Sequence, residues 1–279
     1  MEQDYQQSAP VQAPEAVHIS MEPKKIGELF KDTFAVIKAR IGLFFIAGII
    51  MFVITFIIIS VFITGTVGLF IFGGVARSTL VIGLLAILLV VISIIFQSWP
   101  SLMILNIAND AERRLRVKDL LVRSFKKIHS FIWIGFLEGL VIGGGYLILL
   151  IFSLIFLGSS FGGILTLFLM IGAFAWAIIS GVWFAFSPMV LVAEGLRGIQ
   201  ALKRSKNLVG GKWSIVFSRF FCMGFILGII GFISNAIFEM IPVVGPILGM
   251  LANSFIAFFM YVYTFVLYKD FKRIKQPTS

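Results

Sequence analysis

The chain has 279 residues, of which 59% are hydrophobic, 31 are Phe and only 13% are charged, with a formal net charge of +10. Soluble domains carry roughly a quarter charged residues, so the composition excludes a soluble globular enzyme and points to a polytopic membrane protein. The basic excess falls between apolar runs, where it is a topological signal and requires no nucleic-acid partner.

Residues 1–23, MEQDYQQSAPVQAPEAVHISMEP, contain no Lys or Arg and no apolar core. They are not a secretory signal and read as a disordered, mildly acidic tail. An amphipathic helix follows. Ile26, Leu29, Phe30, Phe34 and Ile37 share one helical face, with Lys31 and Lys38 opposite, the pattern of a helix lying in the head-group layer.

A transmembrane helix needs about 20 apolar residues. Spans 1 and 2 are predicted over Ile41–Thr64 and Thr79–Gln97. Span 2 runs on through FQSWPSLMILNIANDA, so a kink is expected at Pro100. Val117, Leu120, Leu121, Phe125 and Ile128 then repeat the intervals of the first amphipathic helix 91 positions later, with Lys118, Arg123, Lys126 and Lys127 on the polar face. Spans 3 and 4 are predicted over Phe131–Leu157 and Leu165–Phe186, with a second kink at Pro188. A looser amphipathic copy through Leu196, Ile199, Ala201 and Leu202 precedes spans 5 and 6, Ser214–Ile237 and Ile247–Tyr268, and residues 276–279 form a short tail.

Thr33, Ser124 and Ser205 occupy matching positions in the amphipathic copies. The expected fold is therefore an all-α integral membrane domain over 24–275, with six transmembrane helices in three repeats near 24–110, 111–194 and 195–275. Each repeat is an interfacial amphipathic helix followed by a transmembrane hairpin. Of the 23 Lys and Arg residues, 21 lie before span 1, between spans 2 and 3, between spans 4 and 5, or after span 6. The positive-inside rule then places both termini in the cytoplasm of a multi-pass cell-membrane protein.

Two charged residues fall well within the spans. Glu138 and Arg219 each lie 14 residues beyond the hydroxyl of their repeat, and each follows a tryptophan, Trp133 or Trp213, by five or six residues. Equivalent depth, about 8 to 10 Å inside the boundary by helical rise, predicts an intramembrane ion pair between spans 3 and 5. The competing outcomes are an Arg219 that snorkels to phosphate and a Glu138 that is protonated. Gly135, Gly139 and Gly143 on span 3, with Gly224 and Gly228 on span 5, offer grooves for the same helix contact. The lone Cys222 forms no intrachain disulfide. Lys126, Lys127, Lys203 and Arg204 are the expected contacts to anionic lipid head groups. His18 and His129 lie outside the spans, and no HExxH, GxSxG in context or Cys/His cluster occurs. No catalytic residue, metal or cofactor is expected.

The stretch AEGLRGIQALKRSKNLVGGKWSIVF at Ala193–Phe217, YTFVLYKDFKR at Tyr263–Arg273 and IGELFKDTFAVIKAR at Ile26–Arg40 resemble a broad family of six-helix prokaryotic proteins. Its members are often named for the membrane domain of glycerophosphoryl diester phosphodiesterase. In that family the named hydrolysis belongs to a separate soluble barrel, which nothing in this chain matches, so the resemblance implies a membrane module without that activity. At the family's recurrent E...AlkrS segment stand Glu194, Ala201, Leu202, Lys203, Arg204 and Ser205. Glu194 is expected to pair with an Arg of this segment. The functional expectation is a non-enzymatic integral membrane protein serving envelope or lipid-related organisation, or acting as the membrane module of a protein partner. The alternative is a transporter or flippase for an apolar or amphiphilic substrate using Glu138 and Arg219.

Overall fold

The computed structural model describes residues 22–72, 75–110, 117–156, 162–242 and 244–275. Residues 1–21 of the tail predicted over 1–23, the tail over 276–279, and Arg113, Arg114 and Arg116 of the second basic segment lie outside the described residues. Among the described residues regular structure is entirely helical: α1 (Ile26–Ala39), α2 (Ile41–Phe72), α3 (Val75–Asn109), α4 (Val117–Phe156), α5 (Gly162–Phe184), α6 (Ser187–Ala193), α7 (Gly198–Val209), α8 (Trp213–Glu239) and α9 (Gly245–Lys275). Six stretches are long and apolar enough to cross a membrane: Ile41–Gly65, Val91–Asn109, Lys118–Ile148, Gly163–Ala193 across α5 and α6, Trp213–Glu239 and Gly245–Lys275. The protein is a multi-pass membrane protein. Its spans pack as hairpins, α2 with α3, α4 with α5 and α8 with α9.

The joints between amphipathic and spanning segments differ. Arg40, at φ −137°, separates α1 from α2, and Gly211, at φ +78°, lies in the turn between α7 and α8, a conformation that disfavours any residue with a Cβ. The second amphipathic segment has no such terminator. SFKKIHSFIW runs on without Gly or Pro, and α4 is one helix of 40 residues.

The two prolines also behave differently. Helix α3 passes through Pro100 and continues to Asn109. At Pro188 the helix is broken rather than kinked: α5 ends at Phe184 and Pro188 occupies the first turn of α6, where its missing N–H costs nothing. Ser205 of α7 stitches the gap. Its hydroxyl donates to the Trp183 carbonyl at 2.7 Å and accepts the Phe186 N–H at 3.1 Å.

The packed core lies at the end of the molecule that carries the basic segments. Residues 101–108 of α3 are all buried, as are Met189 to Val192 of α6 and much of α9 from Val262 to Phe271. A helix apolar on every side must be covered on every side, and the covers are α1 on α9, the start of α4 on α3, and α7 on α6. Elsewhere the spans are thinly packed. At most 17% of the apolar stretch is buried in four of the six, against 56% in α3 and 44% in α9. Helix α3, with 35 residues, is about 52 Å long at 1.5 Å per residue, well beyond a hydrocarbon core of roughly 30 Å. The long helices thus exceed the thickness of one hydrocarbon core, and their basic ends are enclosed by the amphipathic helices.

Candidate functional site

Three acidic residues stand at the basic ends of the hairpins' second helices: Asp110 just beyond α3, Glu194 capping α6 and Asp270 in the last turns of α9. A carboxylate there opposes the helix dipole, so each needs compensation. Asp110 takes Arg40, whose Nη2 is 3.2 Å from Oδ2 and also donates to the Asp110 carbonyl at 3.1 Å. Glu194 accepts from Tyr268 Oη at 2.8 Å and Arg204 Nε at 3.0 Å, and Lys272 Nζ lies 3.2 Å away. Burial alone would raise the Glu194 carboxyl, but these three donors outweigh it and hold the group below its ordinary value. The pairing of Glu194 with an Arg of its own segment agrees with expectation.

The third node replaces the ion pair predicted between Glu138 and Arg219. Arg219 Nη1 lies 3.4 Å from Asp270 Oδ2, with both side chains nearly inaccessible. Asp270 also accepts from Arg273 Nη2 at 3.1 Å and from the Lys24 backbone N–H at 3.0 Å. Arg219 further donates to the Lys24 carbonyl and lies over the Phe271 ring at 5.5 Å. Its partners are therefore α9 and the residues before α1. The prediction failed because equal depth does not specify facing: α8 packs on α9, whereas α4 packs on α3, α5, α6 and α7. Asp270 stands among the cations that follow span 6, and its burial cannot be inferred from the composition of that flank.

Glu138 stays on the α4 side. Its Oε1 is buried without a hydrogen-bond partner, and the Ser187 hydroxyl at the start of α6 donates to the Phe184 carbonyl at 2.8 Å. The glycines expected to seat span 3 against span 5 do not do so. A Cβ at Gly135, Gly139, Gly143, Gly224 or Gly228 would meet nothing within 4 Å. Close approach occurs instead at Gly145, where a Cβ would come 2.8 Å from the Trp176 ring, and at Gly249, where it would come 2.9 Å from Asn235 Oδ1.

The four residues expected at lipid head groups divide evenly. Lys126 and Lys203 are exposed. Lys127 instead donates to the Val192 carbonyl at 3.2 Å at the end of α6, and Arg204 is engaged by Glu194. Lys275 behaves like Lys127: its ammonium donates to the Asn207 and Gly210 carbonyls at the end of α7, complementing that helix's negative pole. A charged cleft of about 350 Å³ opens between α1 and α9, with Lys24, Asp32, Lys269 and Arg273 along its walls. No protein-family model, curated protein or solved structure matches the chain.

In the spans, polar groups mostly serve their own helix. The hydroxyls of Thr55, Ser98, Ser101, Ser180, Ser254 and Thr264 each donate to the carbonyl four residues earlier. These bonds satisfy the hydroxyls within their own helices, and five of the six, all but Thr55, are buried in the protein.

Proposed function

We propose that the protein is a non-enzymatic membrane scaffold of the cell membrane, acting in envelope or lipid-related organisation or as the membrane module of a partner. The observation that carries this reading is the position of the core. The tightly packed part is the basic-end layer, while the hairpins extend from it with apolar surfaces open along most of their length. Such a body anchors and presents hairpins to lipid or to other membrane helices. The positive-inside rule supports a cytoplasmic position for this layer and both termini, and the exposure of Lys126 and Lys203 supports contact with anionic head groups. The resemblance to membrane domains of glycerophosphoryl diester phosphodiesterases, whose hydrolysis resides in a separate barrel, supports the same reading.

The scaffold reads as a threefold repeat. Thr33, Ser124 and Ser205 are each fully buried, and each amphipathic segment covers the end of the preceding hairpin. Asn106 of α3 donates to Ser124 at 3.0 Å, Ser205 holds the α5–α6 break, and Phe30 of α1 lies 5.7 Å from the Tyr263 ring of α9, which closes the cycle. A transport path built on both Glu138 and Arg219 is disfavoured, because Arg219 is committed to Asp270 and Lys24.

Reconstitution tests the reading. Liposomes containing the protein should move labelled phospholipid between leaflets no faster than protein-free liposomes. The co-purified lipid should be enriched in anionic species, and that enrichment should fall in a Lys126→Gln, Lys203→Gln variant. Translocation that rises with protein content would overturn the scaffold reading in favour of a flippase.

A further inference from the structure

The charged cleft between α1 and α9 holds more positive charge than its own acids neutralise. Asp270, buried at its base, is held by Arg219 at 3.4 Å and by the Lys24 backbone N–H at 3.0 Å. Asp32, on the α1 wall, takes Lys24 Nζ at 2.5 Å. The cations at the end of α9 point in two directions. Lys272 Nζ lies 3.2 Å from Glu194, and Lys275 donates to carbonyls at the end of α7. Lys269 and Arg273 line the cleft instead. With Lys24 cancelled by Asp32 and Arg219 by Asp270, these two charges remain.

Both can still bind. Lys269 is exposed and lies over the Phe265 ring at 5.2 Å, and among the described residues no carboxylate pairs with it. Arg273 gives Nη2 to Asp270 at 3.1 Å, while its side chain stays 41% exposed. A guanidinium has five N–H donors, so a second edge is open to a ligand. Four residues apart on α9, the two side chains start about 5–6 Å from one another on one helix face.

We propose that this cleft is a binding site for an anionic phosphate group, held by Lys269 and Arg273 and supplied by the head group of an acidic glycerophospholipid. The cleft volume of about 350 Å³ falls at the small end of ligand sites, roughly 300–1,000 Å³, enough for a phosphate and its glycerol but not for acyl chains. Ala35, Val36 and Val266 give the glycerol an apolar wall. A lipid source follows from α1. Phe34 is 60% exposed, and Asp32, about 200° away around the same helix, faces the cleft. An amphipathic helix with an apolar side toward lipid tails puts its polar side, and hence the cleft, at head-group depth. The proposal rests on the reading that the basic end meets lipid, and it assigns a defined pocket apart from the exposed Lys126 and Lys203.

Native mass spectrometry of the full chain in neutral detergent, titrated with phosphatidylglycerol or phosphatidylcholine, tests this. One phosphatidylglycerol should bind in preference to phosphatidylcholine. Lys269→Gln with Arg273→Gln should weaken that binding about 30-fold, at roughly fivefold for each basic residue. Ala35→Trp, which fills the cleft without changing charge, should remove it, and Lys126→Gln with Lys203→Gln should leave it intact. Inorganic phosphate is the second arm: saturable phosphate binding lost in the cleft variants, with no lipid retained, supports the phosphate site with a soluble source. Wild type that selects neither ligand, or binding that the cleft variants leave unchanged, overturns the proposal. Loss confined to the Lys126, Lys203 variant overturns it too, while leaving the scaffold reading in place. If the Lys269, Arg273 variant does not fold, Ala35→Trp decides.

Discussion

Asp270 is held by three donors from three parts of the chain, and its side chain is only 1% exposed. Replacing it with Ala would strand Arg219, 7% exposed, as an uncompensated cation, and losing one partner of a buried pair costs about 3–5 kcal/mol. Thermal unfolding in detergent should register that loss for Asp270→Ala. A double-mutant cycle between Glu138 and Arg219 should be additive within about 0.5 kcal/mol, as for sites without shared partners. Glu194 supplies a pH signature. Its folded carboxyl is held below the ordinary value of 4.5, so the unfolded chain takes up the proton first as pH falls. The stability it contributes is complete above about pH 4.5 and is lost as pH drops through the lower folded value. Tyr268→Phe removes one of the donors responsible, moves the folded value back toward the ordinary one and should flatten the acid limb of melting temperature against pH. At neutral pH the same change should cost about 1.5–3 kcal/mol, the range for a hydrogen bond to a charged group.

At the scale of elements, Ser205 is the hydroxyl with the largest structural task. Thr33 donates to the Leu29 carbonyl within its own helix, whereas Ser205 joins both sides of the α5–α6 break. Ser205→Ala leaves the buried Phe186 N–H without an acceptor, at about 1–3 kcal/mol, and should destabilise more than Thr33→Val in chemical denaturation. The same comparison marks what the sequence could disclose. The spans were legible because apolar runs have few other uses. Span 1, predicted over Ile41–Thr64, is observed as Ile41–Gly65, and span 5, predicted over Ser214–Ile237, as Trp213–Glu239. The sequence predicts a kink at Pro188 where the helix in fact breaks, because whether a proline bends or breaks its helix depends on what satisfies the freed backbone groups. That partner, Ser205, lies 17 residues further along the chain. The second amphipathic segment was visible from its spacing. Its fusion with span 3 was not, because continuity follows from the absence of a terminator between them.

Across the whole molecule, hydrophobicity and stability part company. The sequence marks the middle of every span as strongly apolar, yet Ile57, Leu140 and Phe232 are 54%, 56% and 76% exposed, whereas Leu102, Ile104 and Leu105 at the end of α3 are fully buried. Lipid tails solvate an exposed apolar side chain about as well as another helix does, so membrane-facing residues contribute little to tertiary structure. Side chains enclosed at the basic end lose packing contacts when truncated and leave a cavity. Leu105→Ala should therefore cost about 2–5 kcal/mol, whereas Leu140→Ala should stay within about 0.5 kcal/mol, as surface substitutions do. Reversible unfolding in mixed micelles would measure both. Equal losses at the two positions would mean that the hairpins pack against one another within the bilayer, and the scaffold would then be held together along its spans rather than at its basic end.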